Sequence, residues 1–156
     1  SNLMGPLLAL DAEVEVVGKL NGTHKYEDLL SKKAEFHGSA IREVKFSDKN
    51  IIHYFDRFAR TTTDYSAFTV TIALAVEKDV VDDAKIIVTG CKKIYERLNQ
   101  AEAKVIGKKL KELTPGDIFE NVNVEFADKP AGSGAYLTEV SKVFLCRGLE
   151  ALGCAR

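Results

Sequence analysis

The stretch Phe55-Asp56-Arg57-Phe58-Ala59-Arg60-Thr61-Thr62-Thr63-Asp64-Tyr65 holds the residues best suited to chemistry. Two arginines offer planar forks for an anion or a planar polar ligand, and three consecutive threonines add hydroxyls. The competing reading is a strand and a turn. There the threonines cap the turn and Asp64 pairs with Arg60; simple physics favours it. Other candidates are weaker. Asp82 and Asp83 are neighbours, and neighbours on a strand face opposite ways, so they read as a solvated turn rather than an acid/base pair. Asp11, Glu13 and Glu15 alternate with apolar residues and read as the wet face of a strand. Cys91, Cys146 and Cys154 are odd in number and widely spaced, which is neither a disulfide framework nor a zinc pattern. Reduced thiols are expected, with Cys146 buried beside Phe144 and Leu145. His24, His37 and His53 show no i,i+4 pairing, so no metal ligand is assigned. No nucleotide loop of the G-x-G-x-x-G or G-x-x-x-x-G-K-[ST] type is present, and Gly132-Ser133-Gly134 reads as a helix entry. No catalytic residue is assigned.

The elements that must position these residues follow from periodicity. Leu3, Leu7 and Leu10 predict a short helix, and Glu13 to Val17 alternates as a strand. Asn21-Gly22 predicts a hairpin turn with a return strand over 23–26, then a helical turn at Tyr26 to Leu30. Residues 31–39 are polar and irregular. Ile41 to Phe46 predicts a strand, Ser47-Asp48-Lys49-Asn50 a turn, and Ile51 to Arg60 another strand. The clearest alternation is Phe68 to Val76: its large apolar residues occupy the even positions and small ones the odd, predicting one core face. A turn at Glu77-Lys78-Asp79 leads to a strand over 83–89.

The period then becomes helical. Leu98, Ala101 and Val105 line one helix that breaks near Gly107. Thr114-Pro115-Gly116-Asp117 predicts a helix start with a hydroxyl N-cap, its stripe continuing through Ile118, Val122 and Phe126. Residues 127–134 form a loop. A last helix over 135–152 carries Leu137, Val140, Phe144 and Ala151, with Gly148 allowing close packing. Strands followed by three helices predict an α+β fold: an antiparallel sheet with three helices on one face, preceded by a short helix and a hairpin.

Composition narrows the class. The chain has 156 residues, 46% hydrophobic and 29% charged. That is enough for one domain with its own core. Lys plus Arg is 22 and Asp plus Glu 23, so the net charge is -1. A balance this even argues against nucleic acid or a polybasic membrane tether. No apolar run approaches the ~18 residues of a spanning helix, and no signal peptide is visible. A cytoplasmic location is expected.

Taken together, the residues resemble the flavin-binding (medium) subunit of molybdenum hydroxylases, the family of xanthine dehydrogenase and carbon monoxide dehydrogenase. Ser1-Asn2-Leu3 to Leu8-Ala9-Leu10-Asp11-Ala12-Glu13-Val14 is similar to the family's S-D-L-x-P…L-x-A-L-D-A-x-V segment. Ile41 to Val44 resembles the strand before its core hairpin. Arg60 and Asp64 match an Arg-x-x-x-Asp element. Arg97, Ala101-Glu102 and Gly107-Lys108 fit an R…A-E…G-K helix, and Tyr136 to Leu152 resembles the terminal helix. The order and spacing of these segments, over nearly the whole chain, carry the resemblance.

The resemblance implies the C-terminal part of such a subunit. Residues 1–46 would be the remnant of its second FAD-binding subdomain and 47–156 its C-terminal α+β domain. The family's subunit relays electrons from iron–sulfur clusters of a small subunit to an external acceptor, beside a large subunit carrying the molybdenum cofactor. Those two subunits are the expected partners. FAD is the cofactor of the parent; the glycine-rich motifs that cradle its pyrophosphate lie upstream, so this piece is expected not to retain FAD by itself, nor to be active alone. The family's flavin contacts fall on Asn2, where the family has an acid, and on Ile41. A family lysine near the flavin falls on Asp56, which reverses the charge; Arg57 would replace it only if the strand shifts or bulges. The alternative is a non-redox interaction domain that docks partner subunits; a small independent enzyme is the weaker third reading. An exposed sheet edge would favour self-association into a homo-oligomer.

Overall fold

The computed structural model describes residues 2–46 and 51–154. The turn predicted at 47–50 lies outside them. Two antiparallel sheets form. The first has the order β2-β1-β3, from β1 (Glu13–Gly18), β2 (Gly22–Lys25) and β3 (Ser39–Lys45). The second has the order β4-β5-β6-β7, from β4 (Ile51–Phe58), β5 (Phe68–Glu77), β6 (Val80–Thr89) and β7 (Tyr95–Arg97). Tight turns return β1 into β2 and β5 into β6. Asn21 closes the first hairpin, its Oδ1 accepting from the Gly18 amide and its Nδ2 donating to the Gly18 carbonyl, each at 3.0 Å. Lys78 and Asp79 both take positive φ, 49° and 66°. A two-residue turn between strands of right-handed twist requires this.

The even positions of β5 form the main core. Phe68, Val70, Ile72 and Leu74 meet Ala84, Ile86 and Val88 of β6 and the helices beyond. Those helices are α3 (Asn99–Val105), α4 (Pro115–Phe119) and α5 (Gly134–Ala151), with a 3-10 turn at Leu110–Glu112. This is the α+β architecture that the alternation predicts. Phe68 anchors it, stacked on Phe58 at 5.3 Å and edge-on to Phe144 at 5.4 Å. Both are favoured geometries for aromatic pairs.

The opposite face of β5 is also buried, which the small residues there do not announce. α1 (Met4–Ala9) covers it. Closeness explains the small side chains: a Cβ on Gly5 would stand 2.3 Å from Thr71 Oγ1. That hydroxyl is buried against α1 with no hydrogen-bond partner. Thr69 and Thr89, on the same face, bond each other at 2.7 Å. Lys85 reaches across to pair with Asp11. A second small helix, α2 (Tyr26–Ser31), joins α1 through Leu30, Leu8 and Ile87.

Several expectations are corrected. The α4 stripe does not run on through Val122 and Phe126. The helix ends at Phe119, and Val122, Val124 and Phe126 are buried at alternate positions of a non-helical segment. Thr114 precedes α4 without a side-chain cap bond. The buried face of α5 is Leu137, Ser141, Leu145, Gly148 and Leu149; Val140 and Phe144 flank it and Ala151 is exposed. Gly148 does allow close packing: a Cβ there would lie 2.7 Å from both Ile72 and Tyr54. Asp82 and Asp83 lie within β6 rather than in a turn, because that strand begins at Val80. β4 ends at Phe58, two residues early, and the short strand β7 has no counterpart in the periodicity. Cys146 is half-buried rather than buried.

Candidate functional site

The β4–β5 pairing decides where the candidate residues face. Its register runs unbroken from Ile51↔Ala75 to Phe58↔Phe68, so β4 carries no bulge in this stretch, and the shift that would bring Arg57 to the place of Asp56 does not occur. Asp56 therefore keeps the face of Tyr54, whose hydroxyl donates to its Oδ2 at 2.9 Å. Burial and that bond push the Tyr54 phenol up to about 12, because both disfavour the phenolate. Arg57 takes the opposite face, the one α1 covers. There it lines a cavity of about 490 Å³ with Asn2, Thr63, Ser66, Phe68 and Gly90. Asn2 and Arg57 thus meet at one site. Ile41 does not join them: it lies on β3, beside Val16 and half-exposed, on the other sheet. Asp56 does not line the cavity either.

The loop from 59 to 67 forms a wall of this cavity and is wired by its own side chains. Arg57 Nη2 donates to the carbonyls of Asp64 at 2.6 Å and Thr62 at 3.3 Å. Arg60 Nε donates to Asp64 Oδ2 at 3.2 Å, the i,i+4 pair expected of a turn. Thr61 Oγ1 accepts from the Asp64 amide at 3.3 Å. The threonine cluster is thus a turn device first, in line with the plainer reading. Ser66 Oγ donates to Asn2 Oδ1 at 2.8 Å, tying the two ends of the cavity together. With its oxygen so engaged, Asn2 presents its amide NH₂ as a donor. The cavity therefore offers a guanidinium, hydroxyls and a carboxamide beside the apolar Met4 and Ile94. That donor set suits a planar ligand rich in carbonyl oxygens. A smaller cavity of about 250 Å³ shares Asp64, Tyr65 and Ser66 with it and adds Arg60 and Lys129. Tyr65 is fully exposed between the two.

No nucleophile is prepared. Burial pushes the Cys91 and Cys146 thiols up, and Cys154 to about 11. None is a ready thiolate at neutral pH. Among the described residues, no three His, Cys, Asp or Glu side chains converge as a metal site. No described helix is long and apolar enough to cross a membrane.

Sequence reasoning missed Ser66, Gly90 and Lys129. Each acts through a partner far away in the chain, and no local pattern marks such a residue. The R…A-E segment gains a physical role. Arg97, at the end of β7, forks onto Glu102 of α3 at 2.9 and 3.0 Å, and Glu102 also accepts the Ile86 amide at 2.9 Å. Glu102 thereby pins α3 to β6.

The α+β fold is shared with solved chains of other proteins. Quinoline 2-oxidoreductase from Pseudomonas putida 86 superposes with a TM-score of 0.77 at 17% identity, over 94% of this chain and 54% of that one. A carbon monoxide dehydrogenase from Hydrogenophaga pseudoflava, which lacks the Mo-pyranopterin moiety of the molybdenum cofactor, gives 0.75 at 19%, over 94% and 54%. Reconstituted CO dehydrogenase from Oligotropha carboxidovorans gives 0.69 at 18%, over 92% and 53%. The chain spans about half the length of these neighbours, and at such identities the likeness is one of fold. No curated protein sequence matches it. A family model, CO dehydrogenase flavoprotein C-terminal domain, matches residues 53–152. The chain belongs to that family.

Proposed function

We propose that this chain is the C-terminal part of an FAD-binding subunit that relays electrons from iron–sulfur clusters to an external acceptor in a molybdopterin-dependent dehydrogenase. Residues 1–46 would close its second flavin-binding subdomain, and 47–156 form its C-terminal domain. The large molybdenum-cofactor subunit and the small iron–sulfur subunit are its partners. One observation carries the reading. Asn2, on which a flavin contact of the family falls, lies far in sequence from Arg57 yet lines the same cavity; Arg57 faces it from its own strand position, not by taking the place of Asp56.

The residues fit a flavin's polar edge. Bound there, the flavin supplies two-electron and one-electron redox chemistry. Arg57 would orient the group through the guanidinium N–H bonds not used on the loop. Asn2 would donate through its amide, and Ser66 holds Asn2 in that orientation. Met4 and Ile94 give the cavity an apolar side. Ile41 would contribute from β3, an outer strand whose free main-chain edge can meet a cofactor held by the upstream half. Pyrophosphate cradling needs converging main-chain amides, which the glycine-rich upstream half supplies in this reading.

Flavin titration tests it. FAD should bind the parent flavoprotein stoichiometrically and not the 156-residue chain. Stoichiometric FAD on the chain alone overturns the division of labour. Binding to neither, with retained docking to the partner subunits, favours the non-redox interaction domain.

A further inference from the structure

Lys129 lies in the loop before α5, and its ammonium group reaches two main-chain carbonyls, those of Ala67 and Gly90. Ala67 ends the loop that walls the cavity, and Gly90 lines the cavity from the end of β6. Their approach depends on glycine. Gly90 holds φ +78°, and a Cβ there would stand 2.6 Å from the Ala67 carbonyl oxygen. Only glycine takes that conformation at no steric cost. The Phe126 ring lies beneath the ammonium, its centroid 5.9 Å away. At that distance the ring face attracts the cation. The base of the strut is itself fixed. Lys129 and Gly132 exchange main-chain bonds at 3.0 and 2.9 Å, and Asp128 accepts from the Gly134 amide at 2.8 Å, seating the turn on the first residue of α5. Arg57 grips the same wall at the Thr62 and Asp64 carbonyls. Two cations thus hold the stretch 62–67 at both ends.

We infer that Lys129 is a positioning residue for the flavin-facing cavity: it fixes Ser66, and through it Asn2, by bridging the Ala67 and Gly90 carbonyls. This rests on the flavin reading above. Burial lowers the Lys129 pKa, so a desolvated ammonium at this place depends on those two acceptors. Removing a charged donor from buried carbonyls changes an equilibrium by about tenfold.

The test has two arms. In the 156-residue chain, NMR should show the Asn2 side-chain amide and the Ser66 amide shifting in Lys129→Met and returning in Lys129→Arg. In the parent flavoprotein, Lys129→Met should weaken FAD binding about tenfold, and Lys129→Arg should restore it to within about twofold. Lys104→Met is the control. It removes a similar lysine bridge, to the Asp117 and Ile118 carbonyls at 2.6 and 3.3 Å, outside the cavity, and should change neither readout. Unmoved Asn2 and Ser66 signals in Lys129→Met overturn the inference, whatever FAD does. Moved signals with unchanged FAD affinity overturn its role at the cofactor. If FAD binds neither wild-type nor variant parent, the flavin reading fails by itself and the signals alone decide the positioning. Should Lys129→Met not fold, Lys129→Gln, which keeps a neutral donor, is read the same way.

Discussion

Glu102 shows how one residue can be legible as a motif and still hide its work. Its carboxylate is buried at 4% exposure, yet Arg97 and the Ile86 amide satisfy it. The pair spans five positions because Arg97 sits on a strand and Glu102 on a helix, so no helical spacing rule finds it. Glu102→Ala leaves the Ile86 N–H without an acceptor, and should cost about 2 to 3 kcal/mol in urea unfolding. Glu102→Gln keeps an acceptor and should cost about 1 kcal/mol. The larger loss must follow the missing acceptor, not the missing charge, because half-exposed Arg97 can be resolvated. Tyr95 supplies a pH prediction. Its hydroxyl donates to Glu27 at 2.6 Å, joining β7 to α2, and burial with that bond pushes the phenol from 10.0 to about 12. A folded value above the unfolded one means stability fully present below pH 10.0 and lost as pH rises through about 12. Tyr95→Phe should flatten part of that alkaline fall in melting temperature; an unchanged slope would count against the assignment. Arg60 and Asp64 are legible as a turn, whereas Ser66 and Lys129 are not, since their partners are residues 2, 67 and 90.

Whole elements are legible where alternation is unambiguous and poorly so where two periods coincide. β5 is the clear case, with large residues on one face and small on the other. The small face is legible as a face but not as a contact, since only the fold places Gly5 against Thr71. Ile118, Val122 and Phe126 fit a helix at spacing four. Val122, Val124 and Phe126 fit spacing two equally well. The extended form holds because these alternate side chains all reach the core. The α5 face is misplaced for a related reason. Ser141 is fully buried with its hydroxyl donating to the Thr138 carbonyl at 2.7 Å. A core position thus carries a polar residue whose hydroxyl the helix backbone satisfies. Gly148 marks the true contact line. Its methyl, were it alanine, would collide with Ile72 and Tyr54. Alanine gains about 1 kcal/mol of helix propensity, but such overpacking costs about 1 to 3 kcal/mol. Gly148→Ala should therefore lower stability by about 1 kcal/mol in chemical denaturation. A gain would show that α5 can move off the sheet without loss.

At the scale of the molecule, the order of strands before helices announces the α+β class, but the split into two sheets does not follow from it. That split leaves β3 as an outer strand of the three-stranded sheet. β3 and the residue after it expose Ile41 at 48%, Val44 at 39% and Phe46 at 59%. An apolar outer strand with unpaired main-chain groups is a template for another strand. The net charge of -1 gives copies little mutual repulsion to prevent it. The 156-residue chain should therefore self-associate as its concentration rises in sedimentation velocity. Val44→Lys should hold it monomeric, because the ammonium resists burial between paired sheets and repels its copy. In the parent flavoprotein the same substitution should matter less, if the upstream half covers β3 as the proposed function requires. A chain that stays monomeric at every concentration would mean that Arg42, Glu43 and Lys45, clustered along β3 with both cations paired to Glu15 of β1, already guard the edge.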